Sequence, residues 1–289
     1  MANISFLGQV YKVHSNVYFV KDKNGTLNKC GARGILKLKK DKISVGDFVS
    51  VSNGAIDKVF ERKNYFIRPN VSNVDLIVAV ISPEPKPDFY LLDKLMINAE
   101  KEKVELIIAV NKTDVDDTLI DYVKTEYGNL GVKIISISSK TGDGIKELKE
   151  YLFGKLTVLA GQSAVGKTSI VNAMFNLDLK TGDLSDKILR GKHTTTRSEI
   201  FEYDNVRLID SPGFAVIDAC VSANDLCECY PEYVLNSEKC KFRGCKHVSE
   251  PDCEIKQLVT KGLLSKERYE RYLEIYTELS KRRIIYEKD

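Results

Sequence analysis

No run of about 18 apolar residues occurs anywhere in the 289-residue chain, which excludes a membrane-spanning helix from the reading. The opening stretch MANISFLGQV lacks both a positively charged leader and a long apolar segment, so no secretory signal is expected and a cytoplasmic location is. Neither an internal repeat nor a low-complexity linker is found, which sets aside repeat arrays and disordered tethers. An even disulfide framework is missing too: the cysteines number seven, and six of them crowd between Cys220 and Cys253. In a chain without a secretion signal, that crowding points to metal. What is present is 43% apolar and 29% charged, an ordinary soluble composition long enough for two or three domains.

The net charge is only +3, but residues 1–70 hold thirteen Lys/Arg against five Asp/Glu, or +8, which leaves −5 for the remainder. A clustered positive segment attracts phosphate backbones. Within it, QVYKVHSNVYFV, KDKNGTLNKC, GILKLKK, SVGDFVSV and AIDKVF read as short strands. Asn24-Gly25 marks a hairpin, and Val45-Gly46-Asp47 a turn. Five such strands suit a small OB-type β-barrel over residues 1–68, a fold that binds nucleic acid through a basic groove and aromatic platforms. Phe6, Tyr11, Tyr18, Phe19 and Phe48 are available, but most aromatics in so small a barrel are core, and none is assigned to RNA. Cys30 reads as core.

Over residues 69–218 the texture changes to buried strands alternating with helices. VDLIVAVIS, VELIIAVN, KIISIS, LTVLAG and VRLID are apolar runs fit for a parallel sheet, with helices expected over 88–102 and 144–152. Residues 219–289 are cysteine-rich and then mainly helical. Leu264, Tyr269, Tyr272, Leu273, Tyr276 and Leu279 recur there at helical spacing, a stripe that reads as packing.

Residues 161–168, GQSAVGKT, fit the phosphate-loop pattern G-x-x-x-x-G-K-[ST] between a strand and a helix. Backbone N–H groups of Gly161, Gln162, Ser163, Ala164, Val165, Gly166 and the helix start through Ser169 can face phosphates. Lys167 reaches the β and γ groups, and Thr168 coordinates Mg²⁺. Asp210, ending the strand VRLI, suits the Mg²⁺ shell, and the Gly213 N–H can sense a γ-phosphate. Between them, in RGKHTTT, Thr194, Thr195 and Thr196 can close over the same metal. The segment NKTD selects the base: Asn111 bonds the purine, the stem of Lys112 stacks along the ring, Thr113 completes the turn, and Asp114 accepts two N–H bonds from a guanine edge that adenine lacks. Ser138, Ser139 and Lys140, in SSKTG, supply the loop that offers an N–H to the guanine oxygen. GTP is therefore the expected ligand.

NKTD precedes the phosphate loop, the reverse of the usual order. Because chain ends in compact domains lie close together, joining the old ends and cutting elsewhere leaves the same site assembled, so the pattern reads as a circularly permuted α/β GTPase core. Cys240, Cys245, His247 and Cys253 form C-x₄-C-x-H-x₅-C, three thiolates and an imidazole that suit one closed, structural Zn²⁺ site. Cys220, Cys227 and Cys229 are left over and read as packing or incidental.

The basic barrel, the motif order NKTD, SSKTG, GQSAVGKTS, GKHTTT, DSPGF, and the cysteine cluster together resemble the ribosome-small-subunit-dependent GTPase family RsgA, also called YjeQ. The resemblance runs from GQVYKV through NVDLIVAVIS to CKFRGCKH. It implies a bacterial assembly factor that binds the small (30S) ribosomal subunit late in its maturation and hydrolyses GTP when the subunit stimulates it; hydrolysis is then expected to relax the loops around 190–196 and 210–216 and release the protein. It also implies barrel contacts to 16S-type rRNA near the decoding region and further contacts by the zinc module. The chain departs from the family pattern at Ala164, often glycine, at Thr168 in place of serine, and at Ser139, usually alanine. The N-terminal extension of many relatives is not expected.

Phe214 stands where many GTPases carry a water-positioning glutamine, so slow intrinsic turnover is expected, with His193 as the internal catalytic candidate. A monomer with no membrane partner is expected. Two other readings stay open: a nucleotide-regulated RNA-binding scaffold with incidental hydrolysis, and a permuted GTPase of large-subunit assembly.

Overall fold

The structure is a computed structural model that describes residues 5–34, 36, 42–67, 69–177, 198–210, 214 and 217–286; the side chains of 210 and 282–286 lie outside that description. Strands β1 (Ser5–His14), β2 (Val17–Asp22), β3 (Leu27–Ala32), β4 (Phe48–Ser52) and β5 (Ala55–Val59) form the N-terminal barrel. It closes because β1 pairs both with β2 and with β4. Val10, Val20, Cys30, Val49, Val51 and Ile56 fill its interior, which places Cys30 in the core. QVYKVHSNVYFV yields two strands, whereas Gly34 and Leu36, the described residues of GILKLKK, are helical where a strand was expected. At the turn before β4, Gly46 has φ +96°, and a Cβ there would lie 2.0 Å from the Ser72 carbonyl oxygen. Only glycine fits so close an approach.

A small hairpin, β6 (Tyr65–Phe66) and β7 (Val71–Ser72), leads into the α/β core. The core comprises β8 (Leu76–Ile81), α1 (Phe89–Glu102), β9 (Glu105–Val110), α2 (Thr118–Tyr127), β10 (Lys133–Ser136), α3 (Ile145–Leu152), β11 (Leu156–Ala160), α4 (Lys167–Phe175), β12 (Glu199–Tyr203) and β13 (Val206–Asp210). Strands β10, β9, β8, β11 and β13 lie side by side in parallel, and β12 adds antiparallel to β13. All six residues of β8 are buried, because helices cover both faces of a parallel sheet. Each fully buried aliphatic side chain there stabilises by about 1.5–3 kcal/mol. A charge at Val78, which is 0% exposed, would have no partner.

The permutation is visible in the strand order. Strand β11, which leads into the phosphate loop, sits between β8 and β13, although β8, β9 and β10 all precede it in the chain. The join is the three-residue passage from α3 into β11, where Gly154 turns at φ +74°. The barrel is not a separate appendage: β12 pairs with β1 at Glu199 and Lys12, so barrel and core share one eleven-stranded sheet. Lys12 and Glu199 form an ion pair of 2.6 Å across that seam. Strand β12, EIFEY, was not foreseen in the sequence.

The C-terminal part holds α5 (Pro231–Val234), α6 (Glu254–Thr260) and α7 (Lys266–Tyr286) around Leu226, Tyr230, Tyr233, Ile255, Tyr272, Ile275 and Leu279. The tyrosine and leucine stripe of α7 is packing, as expected. Ile97 of α1 joins the same cluster, so this module sits on the core. Asp93 of α1, 0% exposed, is ion-paired with Arg268 and Arg271 of α7, and Arg268 also pairs with Glu232 at 2.7 Å. Buried guanidinium groups survive only when paired in this way.

Candidate nucleotide-binding site and metal centre

The phosphate loop leaves the C-terminal end of β11 and ends where α4 begins at Lys167. Both of its glycines are required by contact. A Cβ on Gly161 would lie 2.2 Å from the Val80 carbonyl oxygen, and one on Gly166 would lie 2.3 Å from Nδ2 of Asn111. Ala164, by contrast, holds φ +65°, a left-handed conformation that costs an alanine free energy. Lys167 curls over the loop, its Nζ donating to the carbonyl oxygens of Gly161 at 2.7 Å and Gln162 at 2.6 Å. Thr168 and Ser169 follow in the first turn of α4, where the helix N-terminus favours anions.

Three motifs far apart in the chain meet at Asn111, which is fully buried. Its Nδ2 donates to the Val165 carbonyl of the phosphate loop at 2.8 Å, and its Oδ1 accepts from the Ser139 N–H at 3.1 Å. Lys112, at φ +63°, donates from Nζ to the carbonyls of Glu84 and Ala164. Thr113 donates from its hydroxyl to Ile137 O at 3.0 Å. Ser138 Oγ donates to Oδ1 of Asp114 at 2.7 Å and accepts from the Thr141 N–H, which orients the carboxylate. Lys140, largely exposed, stands 3.9 Å from Asp114 Oδ2. These groups gather at the C-terminal ends of parallel strands, where open α/β sheets bind ligands.

The remaining predicted residues are not all covered. His193, Thr194, Thr195, Thr196 and Gly213 lie outside the described residues, as does the side chain of Asp210, the residue at which β13, the parallel neighbour of β11, ends. Phe214 is described and buried, meeting Phe66 edge to face at 5.7 Å. It belongs to the core, in keeping with its inability to orient water.

In the C-terminal module the donor atoms of Cys240, Cys245, His247 and Cys253 all lie within 4.8 Å of one another. His247 Nδ1 is 3.3 Å from Cys253 Sγ and 3.7 Å from Cys240 Sγ. Those spacings approach the edges of about 3.5–3.8 Å that a tetrahedron with Zn–S near 2.3 Å requires, so the residues fit a metal ion. Burial pushes the Cys245 thiol up to about 12, raises Cys253 and lowers His247, each shift disfavouring the charged form of its group. The loop between the ligands is supported from outside: Tyr269 and Tyr272 of α7 donate to the carbonyls of His247 and Lys246, and the Glu250 carboxylate accepts the N–H groups of Lys246, Val248 and Ser249. Sequence spacing pointed to the four candidate ligands but not to these supports. Cys220, Cys227 and Cys229 take no part; Cys229 is buried in the module's core.

Between the barrel and the core runs an open groove of about 660 Å³, lined by Leu7, Tyr11, Lys21, Lys23, Phe48 and Arg207 among others. Phe48, 47% exposed, points outward while Val49 and Val51 point in, an alternation that the run FVSVS carries. Tyr11 Oη and Lys21 Nζ both donate to Glu202, and Arg207 donates to Gln9 Oε1 at 3.2 Å, so both parts of the molecule build this groove.

Comparison with known proteins agrees with this architecture. The sequence model of the RsgA GTPase matches residues 59–220, and that of the RsgA N-terminal domain matches residues 7–57. The small ribosomal subunit biogenesis GTPase RsgA of Agathobacter rectalis is 39% identical over 270 residues, covering 89% of each chain. The protein of the same description from Thermotoga maritima is 36% identical, with 97% of this chain and 99% of that one covered. Among solved structures, YjeQ from Thermotoga maritima superposes with a TM-score of 0.80 at 35% identity, over 96% of this chain and 99% of that one. YloQ, described as a circularly permuted GTPase, superposes at 0.76 and 30% identity over 96% of each.

Proposed function

This chain belongs to the RsgA family of circularly permuted GTPases, and on that premise we propose that it binds and hydrolyses GTP while assisting late maturation of the small ribosomal subunit. The observation that carries the nucleotide reading is Asn111, whose buried amide ties the phosphate loop to both base-recognition motifs. Asp114 then receives the paired N–H donors of guanine, and Ser138, Ser139 and Lys140 close the far side of the base. Lys112 lies along the ring. Gly161 through Ser169 cradle the phosphates, and Lys167 exchanges its loop carbonyls for phosphate oxygens.

Thr168, Asp210 and the threonines 194–196 would hold magnesium, which would supply positive charge to the β and γ phosphates. Gly213 senses the γ-phosphate, and His193 is the internal candidate for positioning water. The four-residue cluster of the C-terminal module holds one structural zinc ion. The three working parts are residues 1–68, 69–218 and 219–289. The first supplies the basic surface for 16S-type rRNA, with the groove around Phe48, Lys21 and Lys23 offering the stacking and charge that such a strand needs. The protein acts as a cytoplasmic monomer.

The test is GTP hydrolysis by the purified protein alone, with small subunits, and with large subunits, at one salt concentration. Stimulation by the small subunit alone is the expected result. Equal or absent stimulation would overturn the partner assignment.

A further inference from the structure

We propose that Gln162 is a positioning residue through which α1, and the C-terminal module clasped to it, sets the conformation of the phosphate loop; the proposal rests on reading that loop as the GTP site. The starting point is an incomplete cap. Asp88, the N-cap of α1, gives Oδ1 to the Leu91 N–H at 2.9 Å. A capping box is completed when a Glu or Gln three residues on accepts the N–H of the cap residue. Here that position is Leu91, a buried side chain with nothing to accept. The acceptor comes instead from another element: Gln162 Oε1 receives the Asp88 N–H at 3.1 Å, across 74 residues of sequence.

Gln162 therefore faces two ways. Its side chain caps α1, and its main-chain carbonyl accepts from Lys167 Nζ, the loop's own cation. A shift of α1 along its axis moves the carbonyl that Lys167 leaves when phosphate arrives.

Helix α1 is in turn gripped by the C-terminal module along its length. Tyr90 donates to Glu278 of α7 at 2.7 Å, and Asp93 takes Arg268 and Arg271. Asn98 donates to Asp218 O at 2.8 Å and accepts the Cys220 N–H at 2.9 Å, which fixes the chain where it enters that module. The phosphate loop touches one end of a helix whose body is held by the module.

Hydrogen exchange of the Asp88 amide in the full-length, nucleotide-free protein reads the bond directly. Gln162→Met removes the acceptor at nearly constant shape and speeds that exchange about 3-fold or more, whereas Gln162→Glu keeps an acceptor and holds it within about 2-fold. Unchanged exchange in Gln162→Met overturns the bond. Titration with a fluorescent GDP analogue reads the consequence. Gln162→Met and Arg271→Gln each weaken binding about 3- to 10-fold, and the double variant weakens it by clearly less than the product. Losses that multiply, or a Gln162→Met protein that binds like the unaltered chain, overturn the positioning role. If the unaltered chain fails to bind GDP, the GTP reading falls instead, and the exchange measurement still judges the tie between Gln162 and α1.

Discussion

Asp114 shows how much a single side chain is asked to do. Ser138 holds one of its oxygens, so the carboxylate is aimed before any base arrives. Asp114→Asn puts an amide donor against the N–H edge of guanine and is expected to lower GDP affinity by about 10²-fold, read by nucleotide titration. Ala164 carries the opposite kind of tension. At φ +65° it occupies a region where glycine is at ease, and Ala164→Gly is expected to raise the unfolding free energy by up to about 1 kcal/mol, measured in urea. The gain is limited because glycine also widens the unfolded ensemble. The family resemblance flagged position 164 from the sequence; its backbone angle was not readable there, since nothing in the letters GQSAVGKT distinguishes a relaxed loop from a strained one.

Among the elements, the seam between β1 and β12 is the least expected and the most exposed to acid. Glu202 is partly buried, which alone would raise its carboxyl, but hydrogen bonds from Lys21 and Tyr11 outweigh burial and hold it below its ordinary 4.5. A depressed folded value means that the stabilisation is full above 4.5 and is lost as pH falls through the lower, folded value. The barrel seam should therefore loosen on acidification below about pH 4.5, and Glu202→Gln should flatten that limb of the stability profile, followed by urea midpoints at stepped pH. Periodicity located β8, β9, β11 and β13 because buried parallel strands read as apolar runs. It missed β12, EIFEY, whose two acids each take a lysine of the barrel as an ion-pair partner.

At the scale of the whole molecule, the Cys/His cluster and the proposed nucleotide site sit in modules joined through α1 and α7. Stripping the metal with a chelator is expected to melt much of residues 219–286, seen as loss of helical circular dichroism, because a closed cysteine and histidine site supplies folding free energy outright. Nucleotide binding should weaken but persist, since Asn111, Asp114 and the phosphate loop are carried by the parallel sheet. Complete loss of GDP binding on chelation would show that the core cannot stand without the module.

The letters alone determined what is local: the phosphate-loop pattern, NKTD, SSKTG and the four candidate metal ligands each lie within a short contiguous segment, where spacing along the backbone already points to the chemistry. They also determined the permutation, because motif order is a property of the chain. Tertiary structure decided what brings distant segments together. Asn111 meets Val165, Glu199 meets Lys12, and Arg268 meets Asp93 at separations of tens to nearly two hundred residues. No local pattern encodes such pairings; burial selects them, because a charged or polar group removed from water must find a partner wherever the fold supplies one.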